Sequence, residues 1–126
     1  MAKCVESAVV SINNKNVLIE WTKSAARELA RREAPLIVEL ELYFSCLVKK
    51  FVHFREDSRG KETVAASEKL RLYFRPVTST ACTFEVAERL GRQPEIELHT
   101  AFVKKLAPKR VTLDHVNGTW RGSFLL

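Results

Sequence analysis

The chain contains three cysteines, Cys4, Cys46 and Cys82, whose thiolates are suited to soft metals such as zinc or to iron–sulfur clusters. The three residues are far apart in sequence and form no CxxC pair. Cys46 shares its parity with a run of apolar residues, so it is alternatively a small core residue at a strand end. The sequence therefore predicts either a metal site in which Cys46 acts with Cys4 or Cys82, or a buried thiol.

A cysteine nucleophile is a second chemistry, because Cys46 would need only a histidine beside it in space, and His53, His99 and His115 are the candidates. Apart from such a pair, the sequence contains no glycine-rich phosphate loop and no HExxH or GxSxG motif. We therefore expect a protein that is not an enzyme.

Two segments carry basic residues on alternate positions around an aromatic residue, and pairing of these segments would give the kind of face that binds nucleic acid. Glu39 and Glu41 support a different outcome, because cross-strand ion pairs from a neighbouring strand would neutralise that face. The candidate residues for an anion or nucleic acid are Lys49, Arg55, Arg71, Tyr73, Arg75, Lys104 and Lys105.

Length and charge limit the class of protein. A chain of 126 residues predicts one domain, residues 1–126. The net charge of +6 is a mild basic bias, and no apolar run reaches the roughly 18 residues of a membrane helix. An odd number of cysteines and an N-terminal segment without an apolar signal region favour reduced thiols and a cytoplasmic location.

The hydrophobic pattern predicts an α+β protein, mostly an antiparallel or mixed sheet. Residues Ala8 to Ile12 and Val17 to Trp21 are expected to form a hairpin around an asparagine-rich turn. A helix over about 22–33 should begin at the cap Thr22 and end before Pro35.

Strict alternation begins at Leu36, with Leu36, Val38, Leu40 and Leu42 on one face. A strand reaching residue 55 would be too long, so a bend is predicted near Cys46. The remaining predictions are a turn at 57–61, a strand from 70 that stops at Pro76, a second helix at about 84–90, a strand over 96–102 and a hairpin around Asn117-Gly118.

The order of a strand, the helix "TKSAARELARR", a strand that ends in a cysteine, and strands through "LRLYFRPVTS" resembles the A-type iron–sulfur carrier (HesB-like) family over residues 17–79. The resemblance implies a HesB-like fold with Cys46 at the family's first cysteine, at a chain reversal. The glycines that flank that cysteine in the family and the C-terminal cysteine pair are missing here. The resemblance therefore implies a scaffold without a complete cluster site.

The leading hypothesis is a small soluble binding or assembly protein with no cofactor. Its expected partner is another protein or a second copy of the chain, which would pair through a sheet edge near Ala8 to Ile12 or Ile96 to Lys105. One alternative is a metal or iron–sulfur protein that uses Cys46, with an iron–sulfur cluster or zinc as its cofactor. Another is a β-rich module that binds nucleic acid.

Overall fold

The structure, a computed structural model, describes residues 3–44, 48–79, 95–98, 101 and 103–126. Most of these residues form strands, and one α-helix accompanies them, which is compatible with the predicted α+β class. No helix among them is long and apolar enough to cross a membrane. The elements are β1 (Cys4–Ile12), β2 (Lys15–Thr22), α1 (Lys23–Ala30), β3 (Leu36–Phe44), β4 (Val48–Arg55), β5 (Val64–Ser67), β6 (Leu70–Ser79), β7 (Glu95–Glu97), a short 3-10 helix (Val103–Lys105), β8 (Arg110–Val116) and β9 (Thr119–Leu125).

Each of the two sheets contains two antiparallel hairpins whose inner strands lie parallel to each other. The first sheet has the order β1-β2-β8-β9, with β2 parallel to β8. The second has the order β4-β3-β6-β5, with β3 parallel to β6, and β7 pairs with the far end of β6. The parallel pairs bring together strands that are distant in sequence, at the centre of each sheet.

The core lies between the sheets and confirms the alternation predicted from Leu36. Val38, Leu40 and Leu42 on β3 are completely buried, as are Leu70 and Leu72 on β6. The first sheet contributes inward-facing residues of β1, β2, β8 and β9 to the core, which are Val10, Ile12, Val17, Ile19, Trp21, Val111, Leu113 and Phe124. Because side chains alternate along a strand, the odd-numbered residues of β3 lie on the opposite face of their sheet.

The two tight hairpin turns confirm their predictions. Asn13 and Asn14 have positive φ angles of 52° and 63°, and Asn117 and Gly118 have φ angles of 51° and 79°. Two successive residues with positive φ make the turn whose twist matches that of paired strands. Asparagine and glycine tolerate this left-handed conformation, so these turns fix the register of β1 with β2 and of β8 with β9.

The chain reverses between Phe44 and Val48, which pair across β3 and β4. This reversal confirms the break predicted for the 36–55 segment, and Cys46 itself lies outside the described residues. After the reversal, Val52 and Phe54 pack against the core. The odd-numbered residues of β4 therefore share a face with those of β3.

Helix α1 begins where predicted, because the Thr22 Oγ1 accepts a hydrogen bond of 3.2 Å from the Ala25 N–H. The same hydroxyl donates to Asp114 Oδ1 of β8 at 2.6 Å. Ala25 and Leu29 then enter the core. The helix start is thus attached to the C-terminal hairpin.

The helix is shorter than the predicted 22–33 and ends at Ala30. The Arg32 N–H bonds to the Leu29 carbonyl at 3.2 Å, a tighter turn that closes the helix. Lys69 Nζ donates to the carbonyls of Arg32 and Glu33 beyond it, at 2.5 and 3.1 Å. The Glu28 carboxylate contacts Arg31, and the Arg32 guanidinium contacts Glu56.

Three further predictions differ from the structure or lie beyond it. Strand β6 continues through Pro76, where it was predicted to stop. The Pro76 carbonyl points away from β3 and accepts the Leu98 N–H at 2.8 Å. Because the N–H and C=O of a strand residue point to the same side, the missing proline N–H removes no bond to β3. Strand β7 ends at Glu97 instead of residue 102, and β5 was not predicted. The predicted helix at 84–90 lies outside the described residues.

Gly122→Ala should destabilise the fold, because a Cβ at this position would lie 2.9 Å from Leu113 Cδ2 and 3.0 Å from Val52 Cγ1 of β4. We expect a loss of about 1–3 kcal/mol in the free energy of unfolding, which is typical of overpacking. Urea denaturation measures it, with the exposed neighbour Ser123→Ala as the control. Equal unfolding midpoints for the two variants would contradict the close approach.

Replacement of Asp114 by Asn should make stability less dependent on pH. The hydrogen bonds from the Thr22 hydroxyl and the His115 N–H hold the pKa of the Asp114 carboxyl below its ordinary value. Its stabilising effect is therefore complete above the unfolded value of about 3.9 and is lost as the pH falls through the lowered folded value. Urea unfolding of the wild type and of Asp114→Asn should give a free-energy gap that is constant from pH 5 to 7 and shrinks below about pH 4. A gap that persists unchanged to low pH would refute this, and the exposed Asp57→Asn is the control.

Candidate functional site

The outer face of the second sheet carries a group of ionisable side chains at its centre, which we call the charged face. Its members come from three adjacent strands and are Glu39 and Glu41 of β3, His53 and Arg55 of β4, and Tyr73 and Arg75 of β6. A nucleic-acid face was considered above on the condition that β4 and β6 pair directly. Instead β3 lies between them, so its carboxylates separate the two sets of basic residues.

Glu39 lies at the centre of the charged face and is only 1% exposed. The Tyr73 hydroxyl donates to its Oε1 at 2.5 Å, and Arg55 Nη2 donates to its Oε2 at 3.3 Å. Burial alone would raise the pKa of Glu39, but these two hydrogen bonds and the nearby positive charge lower it overall. The same burial, together with the bond to Glu39, raises the pKa of Tyr73 to about 12. The carboxylate is therefore ionised and the phenol protonated at neutral pH.

Glu41 repeats this arrangement two residues along β3, where it is 7% exposed. His53 Nε2 lies 3.2 Å and Arg75 Nη1 3.6 Å from its Oε1. The negative charges of Glu39 and Glu41 are thus offset by cross-strand ion pairs with the guanidinium groups of Arg55 and Arg75. This outcome is the neutralisation that the sequence analysis set against a nucleic-acid face.

Three groups on the charged face have the chemistry of metal ligands. One ligand atom from each of Glu39, Glu41 and His53 lies within 4.8 Å of the others. However, Arg55 and Arg75 contact the same carboxylates, so a divalent cation would have to displace both guanidinium groups. The arrangement is better suited to hold side chains in place than to attract a cation.

Of the remaining basic candidates, Lys49 and Arg71 lie on the same side of the second sheet but outside the charged face, and Lys104 and Lys105 lie elsewhere. The Arg71 guanidinium binds the hydroxyl and the carbonyl of Thr63 at 2.6 and 3.1 Å. Lys49 is exposed on β4, and Lys104 and Lys105 are exposed on the 3-10 helix. Lys104 lines a separate cleft with Asn13 and Pro76. The predicted anion-binding residues therefore divide between several places.

Of the three cysteines predicted as metal ligands, only Cys4 lies among the described residues. Cys4 is half-buried at the start of β1, where burial and the nearby Glu20 carboxylate raise the pKa of its thiol. Such a thiol is a poor nucleophile at neutral pH. Cys46 and Cys82 lie outside the described residues, so the proposed convergence of the three thiols on a metal stays a prediction.

The sequence analysis missed two cations beside the charged face, Arg59 and Lys61. Arg59 and Gly60 have positive φ angles of 53° and 78°, and the Lys61 N–H bonds to the Ser58 carbonyl at 3.0 Å. The turn was predicted from its glycine, but nothing in the sequence indicated where it would lie. It brings Arg59 and Lys61 to a cavity of about 180 Å³, which is also lined by Glu39, Tyr73 and Arg75.

A second surface of interest is the free edge of β1, by which we mean the side that pairs with no described strand, although β1 also lies close to β5 of the second sheet. In a hairpin with a two-residue turn, the residues that flank the turn, here Ile12 and Lys15, bond to each other. Ser7, Val9 and Ser11 therefore direct their backbone N–H and C=O groups to the free edge. Val9 is 64% exposed, more than any other large apolar residue described.

Comparison with known proteins identifies no similar family model, curated protein or solved structure. The HesB-like resemblance accordingly stays a prediction. The features of the described residues that bear on function are the charged face, its neighbouring cavity and the free edge of β1.

The bond between Tyr73 and Glu39 should contribute measurably to stability. Tyr73→Phe removes a donor from a buried carboxylate and should cost about 1–3 kcal/mol in the free energy of unfolding. The effect should be smaller in a Glu39→Gln background, because the amide oxygen is a neutral acceptor and a hydrogen bond to a charged acceptor is the stronger one. A double-mutant cycle in urea tests this, and strictly additive losses would show that the two side chains do not interact.

Proposed function

We propose that the protein is a non-enzymatic binding or assembly protein that works as a homodimer, with β1 of each copy paired antiparallel to the other. The observation that carries the proposal is the free edge of β1, which is uncharged and centred on an exposed valine. An exposed strand edge is a ready template for pairing with another chain.

The edge of β1 lacks the features that usually prevent such pairing. Residues 7–14 contain no charged side chain, although 29% of the chain is charged. Other described edges are protected: β4 carries Lys49 and Lys50, and β5 has only four residues and an irregular register. Strand β9 carries Arg121 and approaches β4 closely at Gly122. Strand β7 has only three residues. Strand β1 lies close to β5 in the same way, but it has nine residues and carries no charge from Ser7 to Ile12, so among the described edges it is the one best suited to a second copy.

The pattern of β1 also favours pairing with itself. Regular pairing of β1 begins at Glu6, after an irregularity, and ends at Ile12, so the regular span is centred on Val9. With a two-fold axis at Val9, this residue would face its counterpart, and Ser7 would face Ser11 of the second copy. All three direct backbone groups to this edge. Glu6 would face Ile12, so no like charges would meet.

A binding role also agrees with the chemistry of the charged face. Its buried carboxylates are ionised and bonded to cations or to Tyr73, which leaves neither Glu39 nor Glu41 as an available proton donor or acceptor. Such a network orders the sheet surface. We infer that this face supports a ligand or partner and carries out no reaction.

The test is the mass of the particle in solution, by light scattering after size-exclusion chromatography across a range of concentrations. The wild type should have twice the chain mass of 14.4 kDa. Val9→Lys should be monomeric and folded, because Val9 is exposed and a lysine on each copy would meet its like across the axis. Val48→Lys, at a valine that is 58% exposed on β4, is the matched control and should remain dimeric. A wild type that stays monomeric at high concentration, or equal effects of the two lysines, would refute the proposal.

A further inference from the structure

We infer that the cavity between the charged face and the 57–61 turn binds a small oxyanionic group, either a phosphate or a carboxylate. Its volume of about 180 Å³ is below the roughly 300–1,000 Å³ of pockets that enclose drug-sized ligands. It therefore suits one ionic group with a few attached atoms. This inference does not depend on the proposed dimer.

The balance of charge around the cavity favours an anion. On the charged face, two carboxylates are matched by the guanidinium groups of Arg55 and Arg75. The turn then adds Arg59 and Lys61 at the same cavity. Counted over these described residues alone, the set carries two more positive than negative charges. A divalent oxyanion would neutralise this excess, whereas a divalent cation would increase it.

The side chains that line the cavity are held in position before any ligand arrives. Arg75 Nη1 lies 3.6 Å from Glu41 Oε1, and Tyr73 is fixed by the bond in which its hydroxyl donates to Glu39. The Lys61 N–H closes the turn on Ser58. Lys61 and Arg75 also take part in other interactions, so the anion would share them. Such preorganisation reduces the entropy lost on binding.

Arg59 contributes the cation best matched to an oxyanion. Arg59 and Gly60 have successive positive φ angles of 53° and 78°, the geometry of a tight turn, and this turn brings Arg59 to the cavity. Here the turn supplies a guanidinium group, whose planar set of donors matches an oxyanion in two-point contact. Glu39 also lines the cavity, but it is already bonded to Arg55 and Tyr73. These bonds offset its negative charge and reduce its repulsion of an incoming anion.

The experiment is a titration followed by ¹H–¹⁵N chemical shifts at constant ionic strength, with inorganic phosphate in one arm and succinate in the other. We expect saturable shifts at residues 59–61, 73 and 75 in at least one arm. Arg59→Gln and Lys61→Gln, both outside the core, should each weaken binding roughly tenfold, which corresponds to about 1.4 kcal/mol. Lys104→Gln is the control, because it removes an exposed positive charge beside a different cleft.

Saturation by phosphate supports a phosphate ligand, and saturation by succinate alone supports a carboxylate. Linear, unsaturated shifts in both arms would overturn the inference, as would equal weakening by Lys104→Gln, which would indicate nonspecific attraction. The Val9→Lys variant should bind the anion as tightly as the wild type. That result separates failure of this site from failure of the dimer.

Discussion

Glu39 lies in the middle of β3, the strand that pairs with β4 on one side and with β6 on the other. A buried carboxylate is costly unless charges and donors surround it. Arg55 from one neighbouring strand and Tyr73 from the other meet this requirement, and a slip of either strand by one residue would turn its side chain to the core face. The charged face therefore specifies how three strands align, while the apolar residues of alternate positions fill the core on the other side.

The local features of the fold were predictable because short-range physics decides them. The asparagine turns follow from the tolerance of Asn13 and Asn117 for positive φ, and the start of the helix follows from the capping hydroxyl of Thr22. The alternation from Leu36 identified the core face of β3. In each case the determining residues lie within a few positions of one another.

The features that were missed depend on contacts between distant segments. The parallel pairing of β3 with β6 placed Glu39 and Glu41 between two sets of basic residues, so the candidates were recognised but their arrangement was not. Pro76 is accommodated because its backbone groups point away from β3, where its carbonyl accepts the Leu98 N–H. No local pattern in the sequence reveals this orientation. Arg59 and Lys61 were in a recognised turn, yet only the folded chain brings that turn to Tyr73 and Arg75.

The cap of α1 has a consequence for the order in which the chain can fold. Thr22 and Asp114 are separated by 92 positions, so the helix start gains its supporting carboxylate only after β8 has docked beside β2. Contacts of such long sequence separation form late and slow the overall rate. During synthesis on the ribosome, the first helix and the hairpin before it would therefore wait, incompletely stabilised, until the last hairpin emerges.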